Sequence, residues 1–218
     1  AVIAAYHDLL YGSGRIGKVE TRAMPPEQKP AVLLDCSQQG INPALQEFLD
    51  GSDGPICEKF QYYNPHERRL GSRDAEIVDF LVAAGGLSDF NVLSGNEALS
   101  IYLKVRFMRY VARPEVGWAI VSTEGIVVAG SNTAMSKMAL PEAQPGETWI
   151  YEVSIQLALC GGDYFLNFGV GETFNETWSF LDNRRAAAHL SVAHQGSATG
   201  FINLPFRYQV ISGPNRHE

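Results

Sequence analysis

From about Ala75 to Leu204 the sequence places apolar residues at every second position, in runs separated by glycine- and proline-rich turns. A period of two sends successive side chains to opposite faces of an extended strand. The clearest run is Leu99, Ile101, Leu103, Val105 and Phe107, a continuous core stripe, with Tyr102, Lys104, Arg106, Met108 and Tyr110 on the other face. The alternation predicts strands over 74–82, 98–111, 116–122, 125–129, 148–159, 163–170, 187–194 and 199–204, divided by signals such as Ala84-Gly85-Gly86, Arg113-Pro114, Gln144-Pro145-Gly146 and Cys160-Gly161-Gly162-Asp163. About eight strands with no helix between them bury their apolar faces by packing sheet on sheet. The fold class is therefore all-β, an antiparallel β-sandwich of immunoglobulin-like or jelly-roll kind. Arg109 falls on the core phase of the long strand, which predicts a bulge there or a strand that has already left the core.

The preceding residues have a different texture. Residues 1–11 have helical composition and spacing but no cap, as expected for a sequence that starts inside a longer helix. Residues 12–66 read as a linker, broken by Gly12-Ser13-Gly14 and by Pro25-Pro26 and Pro30. One short helix is signalled near 43–50, with Asn42 as N-cap, Pro43 at its first position and Gly51 past its end. The sandwich domain then runs over 67–218.

Composition narrows the classes of function. With 17 basic against 24 acidic residues and a net charge of −7, the chain lacks the basic excess of a nucleic-acid binder. No apolar run approaches the roughly 20 residues that span a bilayer, and no signal-peptide pattern opens the sequence. The cysteines, Cys36, Cys57 and Cys160, are odd in number and never spaced C-x-x-C, so neither a disulfide framework nor a zinc site is indicated. Free thiols fit a reducing, cytoplasmic compartment.

Motifs for catalysis are missing. Gly12-Ser13-Gly14-Arg15-Ile16-Gly17 matches G-x-G-x-x-G, but a helix precedes it and a proline-rich stretch comes after, the reverse of a dinucleotide fold. No G-x-x-x-x-G-K-[ST], G-x-S-x-G or H-E-x-x-H occurs. Asn175-Glu176-Thr177 is a glycosylation triplet that a cytoplasmic protein leaves bare. His189 and His194, five apart on a presumed strand, face opposite ways, and no carboxylate couple suits a glycosidase. The reading is a non-enzyme with no cofactor and no metal.

Binding chemistry has better candidates. Tyr102, Lys104, Arg106 and Tyr110 form an outward strip of rings and cations, with no acid between Ala98 and Pro114. Ring faces pack on sugar C–H faces, and guanidinium binds anionic substituents bidentately. A solvated or dimer-buried sheet face, kept from edge pairing by its cations, fits the same strip. Alternation adds Glu152 and Gln156, Phe165 and Asn167, and His189 as outward positions whose amide, carboxylate and ring groups suit sugar hydroxyls and faces. Trp178 and the Arg184-Arg185 pair fall in a presumed connection, 171–186, where they rim a site or pin a loop.

A resemblance enters with Tyr63-Asn64-Pro65-His66-Glu67-Arg68-Arg69-Leu70-Gly71-Ser72 followed by Ala75-Glu76-Ile77. It continues through Pro114-Glu115-Val116-Gly117-Trp118-Ala119-Ile120, Gly125, Gly130-Ser131-Asn132-Thr133, Pro145-Gly146-Glu147 and Leu159-Cys160-Gly161-Gly162-Asp163-Tyr164-Phe165-Leu166. In order and spacing, over roughly residues 62 to 205, this set resembles the C-terminal polysaccharide-binding domain of the nucleotide-binding subunits of O-antigen-exporting ABC transporters of the Wzt type. Val2-Ile3-Ala4-Ala5-Tyr6 resembles the end of that family's ATPase domain. The resemblance implies a dimeric sandwich at the cytoplasmic face of the inner membrane. It would bind the non-reducing end of a lipid-linked polysaccharide for export by the transmembrane subunit. The alternative is a structural or dimerisation domain without glycan recognition. The family's ligand residues differ with their glycans, so none is carried over. Residues 12–61 are longer and richer in proline than the family's connector, and read as a tether, a dimer clasp or part of the site.

Overall fold

The computed structural model describes residues 42–51, 54–174, 177–195 and 198–209. The expected helix at 1–11, the glycine-rich motif at 12–17, the proline stretch and Asn175-Glu176 lie outside the described residues. The order of elements is helix α1 (Pro43–Asp50), a 3-10 turn (Ile56–Lys59), then strands β1 (Arg68–Leu70), β2 (Ala75–Ala84), β3 (Ala98–Phe107), β4 (Pro114–Ser122), β5 (Val127–Asn132), β6 (Thr148–Gln156), β7 (Gly162–Phe174) and β8 (Thr177–Val192). They form a five-stranded sheet, β1-β8-β7-β4-β5, and a three-stranded sheet, β2-β3-β6. Every ladder in both sheets is antiparallel.

The core lies between the two sheets. From the smaller sheet come Leu99, Ile101, Leu103, Val105 and Phe107 of β3, with Ile77, Phe80 and Val82 of β2. They meet Val116 and Ile120 of β4, Leu166, Phe168 and Val170 of β7, and Leu181 and Leu190 of β8. Phe80 on one sheet touches Phe168 on the other, ring centroids 5.0 Å apart. β3 shows the alternation most fully, with each of the five stripe residues buried.

Several expected boundaries shift. β3 ends at Phe107, so Arg109 has left the sheet. It pairs instead with Asp74 at 3.1 Å and with Glu172 at 2.8 Å. The segment 199–204 is no strand and contributes one isolated bridge, Leu159 to Ile202. The presumed connection at 171–186 is strand: β7 and β8 are one long hairpin, paired out to Phe174 and Thr177. Its register slips between Leu166 and Phe168 and again between Val170 and Gly171. The first adds two residues to β8 and keeps their facing, while the second adds one and inverts the facing beyond it, which conceals the alternation.

β2 is buried on both sides, because the segment before β1 is strapped over its outer face. Asn42 caps α1 by accepting from the Ala44 N–H at 3.0 Å, and its own amide donates to Ser88 Oγ at 2.7 Å. Phe48 and Ile56 pack on Leu81, which points away from the main core. The Asp79 carboxylate accepts from the N–H groups of Ile56 (3.0 Å) and Cys57 (3.1 Å). Further along, Tyr62 O accepts from the His189 N–H at 2.7 Å, and the Asn64 N–H donates to Ala187 O at 3.0 Å. The strap therefore bonds to both sheets.

Burial, the largest influence, pushes the Cys57 thiol up to about 12. Since the thiolate is the nucleophile, Cys57 is expected to resist iodoacetamide at pH 8 in the native domain and to react fully in denaturant, read by peptide mass spectrometry. Rapid labelling without denaturant would show that the strap is open.

Candidate functional site

The smaller sheet presents outward Tyr102, Lys104 and Arg106 of β3 and Glu152 and Gln156 of β6. Tyr102 sits beside Glu152 in the ladder, and its hydroxyl donates to Glu152 Oε1 at 3.1 Å. Part of this face is occupied by α1. The Phe48 ring lies 6.3 Å from that of Tyr102, and the Lys104 ammonium stands 4.5 Å from the Phe48 centroid while donating to the Phe48 carbonyl. Lys104 thus anchors the last turn of a helix, where a cation favours the exposed carbonyls. Gln156 donates to the Asn96 carbonyl in the loop before β3. Arg106 is exposed at the far end. Tyr110 lies past the end of β3, and a hydrogen bond with the Glu142 carboxylate, ahead of any burial, raises its pKa.

Phe165, Asn167 and His189 belong to the other surface, the outer face of the five-stranded sheet. Sheets in a sandwich are about 10 Å apart with the core between them. No single ligand site can therefore hold both sets, and the sequence-derived candidates divide between two surfaces.

On the larger sheet the candidates converge. Phe165 of β7 is directly opposite His189 of β8, their rings 5.3 Å apart, and His189 Nε2 meets Asp163 Oδ1 at 2.9 Å. One step down β7, Asn167 is opposite Ala119 of β4, which in turn is opposite Gly130 of β5. Below these come Gly117 and Gly169, paired with each other. This strip of sheet carries no large side chain.

A second aromatic group borders the strip. The Trp178 indole lies against Gly171, whose added Cβ would come within 2.6 Å of Trp178 Cζ2; a Cβ on Gly169 would meet Phe180 Cε1 at 3.0 Å. Any side chain there would displace these rings, so the two glycines let an aromatic pair lie down on the sheet. Trp178 and Phe180 meet edge to face at 4.2 Å. Glu115 fixes the indole, accepting from Trp178 Nε1 at 3.1 Å and from Thr173 Oγ1 at 2.6 Å. With both oxygens engaged, the carboxylate acts as an orienting group.

The surface offers two ring platforms, one on each side of an open strip, with the amides of Asn167 and Asn132 alongside. Alternating ring faces and planar hydrogen-bonding groups suit a chain of sugar units, whose C–H faces are apolar and whose rims are polar. Nothing in this arrangement pairs a nucleophile with a base. Among the described residues, no three His, Cys, Asp or Glu side chains come together to hold a metal ion. A separate cavity of about 270 Å³ lies at the end of the sandwich, lined by Cys160, His194, Gln195 and Asn203 among others, and none of the predicted binding residues reaches it.

Sequence reasoning missed Glu115, Phe180 and the glycine floor, and left Trp178 in a connection. The available signal was the spacing Gly169-x-Gly171 opposite Trp178-x-Phe180, two small residues facing two large ones across a hairpin.

The Wzt C-terminal domain family matches residues 66–204. Among solved structures, the C-terminal domain of Wzt superposes with a TM-score of 0.65 at 25% identity, covering 74% of this chain and 98% of that one. A calcium-binding mutant of Bacteroides uniformis β-glucuronidase 2 stands at TM-score 0.33 and 12% identity, over 48% of this chain and 12% of that one. Chicken MD-1 complexed with lipid IVa stands at 0.31 and 14%, over 52% of this chain and 81% of that one. Overlaps that partial say nothing of function. No curated protein matches the sequence. The family match and the superposition over nearly all of the solved domain agree: the chain belongs to the Wzt C-terminal domain family, the non-catalytic C-terminal part of an ABC-transporter subunit.

Proposed function

We propose that this domain binds the non-reducing terminus of a lipid-linked O-antigen polysaccharide on the outer face of its five-stranded sheet, selecting finished chains for export. The observation that carries the reading is the pair of ring platforms, Trp178 with Phe180 and Phe165 with His189, around a strip of sheet that no other described element covers. The domain performs no chemistry on the glycan. It works at the cytoplasmic face of the inner membrane, and reaches the transmembrane subunit through the rest of its chain. A single open site binds in the micromolar to millimolar range, about −8 to −4 kcal/mol.

Such weak sites gain from pairing, and the domain acts as a homodimer. β6 is the edge of the smaller sheet, and its inward residues Trp149, Tyr151, Val153 and Ile155 are only partly covered. The buried Tyr151 hydroxyl has no hydrogen-bond partner among the described residues. Leu204, Phe206 and Tyr208 of the C-terminal segment stand exposed at alternate positions, Tyr208 at 91%. An open edge and an unpaired alternating segment on the same chain favour association of two copies.

The test is titration of the domain with the O-polysaccharide of its own strain and with one from an unrelated strain, each natively terminated and uncapped. Binding confined to the native, terminated chain is expected. No binding to any of the four by a folded dimer would overturn the reading in favour of a purely structural role.

A further inference from the structure

Arg68 and Arg185 face each other directly across the β1–β8 ladder, and both are exposed. Like charges at directly opposed positions destabilise a sheet. No carboxylate relieves this pair: neither guanidinium has an ion pair or hydrogen bond among the described residues. The neighbouring acids are engaged elsewhere. Glu67 takes Arg184, and Asp182 takes Arg69 and Arg73, on the inner side. On the outer side Asp163 bonds His189, and Glu115 bonds Thr173 and Trp178.

Arg185 lies beside a bulge. The β7–β8 register slips at Asn167, and Ala186 takes φ 53°, a left-handed conformation costly for any residue with a Cβ. Two asparagines hold it there. Asn167 Oδ1 accepts from the Ala186 N–H at 2.6 Å, and Asn64 Nδ2 donates to the Ala186 carbonyl at 2.8 Å. The same bond commits Asn167's oxygen and leaves its amide NH2 without a partner among the described residues. Across the sheet, Arg68 pairs with Arg185, the next residue, Ala186, bonds Asn167, and Asn167 leads on to Ala119 and Gly130: two cations and an amide donor, followed by open floor.

We infer that Arg68 and Arg185, with the Asn167 amide, form an anion-binding corner of the glycan face that takes a phosphate or carboxylate substituent of the polysaccharide. The inference rests on the glycan reading above and adds to it that the ligand is charged. Paired guanidinium groups suit either anion, since both present planar pairs of oxygens.

The test tracks the arginine Nε–H signals in 1H–15N spectra of the domain during titration with inorganic phosphate, a hexose 6-phosphate, glucuronate and a neutral hexose. Saturable shifts of Arg68 and Arg185 are expected with the phosphates or with glucuronate, which tells the two anions apart, and none with the neutral sugar. Arg68→Gln and Arg185→Gln should each weaken the effective anion about tenfold, and Arg113→Gln should leave it unchanged. Shifts shared evenly by all exposed arginines and abolished by about 0.15 M salt would overturn the proposal as general ionic attraction. Native polysaccharide, followed by Trp178 fluorescence, separates the two readings. Equal binding by wild type and the Arg68→Gln/Arg185→Gln double variant overturns the anion corner and leaves glycan binding intact. Anion shifts at these arginines without any polysaccharide binding would retain the corner and remove the glycan.

Discussion

Arg184→Ala is expected to lower folding stability by about 3–5 kcal/mol, the usual cost of leaving one partner of a buried ion pair alone. Arg184 is only 4% exposed and Glu67 only 9%. The guanidinium grips the carboxylate through Nε at 2.8 Å and Nη2 at 2.6 Å, donates to the Ile77 carbonyl at 3.2 Å, and stacks 4.7 Å from the Phe80 centroid. Removal strands Glu67, takes from the Ile77 carbonyl one of its two donors (Arg69 Nη2 remains at 3.2 Å) and opens a space against Phe80. In urea, with a slope of roughly 2 kcal/mol per molar, the midpoint should fall by on the order of 2 M. The double variant Glu67→Leu/Arg184→Met should recover most of the loss, because apolar side chains of similar volume replace a buried pair at little net cost. A loss below about 1 kcal/mol for Arg184→Ala would show the pair to be solvated, as surface pairs are.

Trp178→Ala is the variant with the largest expected effect on ligand. If the indole is a principal platform for the glycan, truncation should cost at least about 2 kcal/mol, roughly thirtyfold in Kd. Trp178→Phe keeps a ring over Gly171 but gives up the bond to Glu115, and should fall between the two. Phe165→Ala tests the opposite border and should lose a comparable amount. Isothermal titration with native polysaccharide measures all three, and unchanged urea midpoints exclude unfolding as the cause. Wild-type affinity in Trp178→Ala would remove the aromatic face from the site.

The two variants also mark how far the sequence was legible. The alternation in Leu99–Phe107 predicts a strand and its core face, and the structure has both, because β3 is central in its sheet and free of bulges over that stripe. Asn42, Pro43 and Gly51 likewise bracket α1 correctly, since capping is local chemistry. Where α1 goes is not local. Alternation marks Tyr102 and Lys104 as pointing out of the core, but the strap that meets them there is held by Asp79 and Leu81, through contacts distant in sequence. The β7–β8 hairpin was hidden for another reason. The expected strand stops at Val170 because Gly171 opens what reads as a connection, whereas Gly169 and Gly171 are floor beneath rings, and the one-residue slip at Val170/Gly171 inverts the facing that alternation relies on. Strand order decides which outward residues share a surface, and spacing along one strand carries no information about it.

The most direct test of the account is hydrogen exchange of the domain with and without its native polysaccharide, resolved by peptide. Protection over Glu115–Ala119, Phe165–Gly171 and Trp178–His189, with no change at Tyr102–Arg106 or Glu152–Gln156, is the predicted result. Protection confined to β3 and β6 would contradict it and move the site to the surface that carries α1.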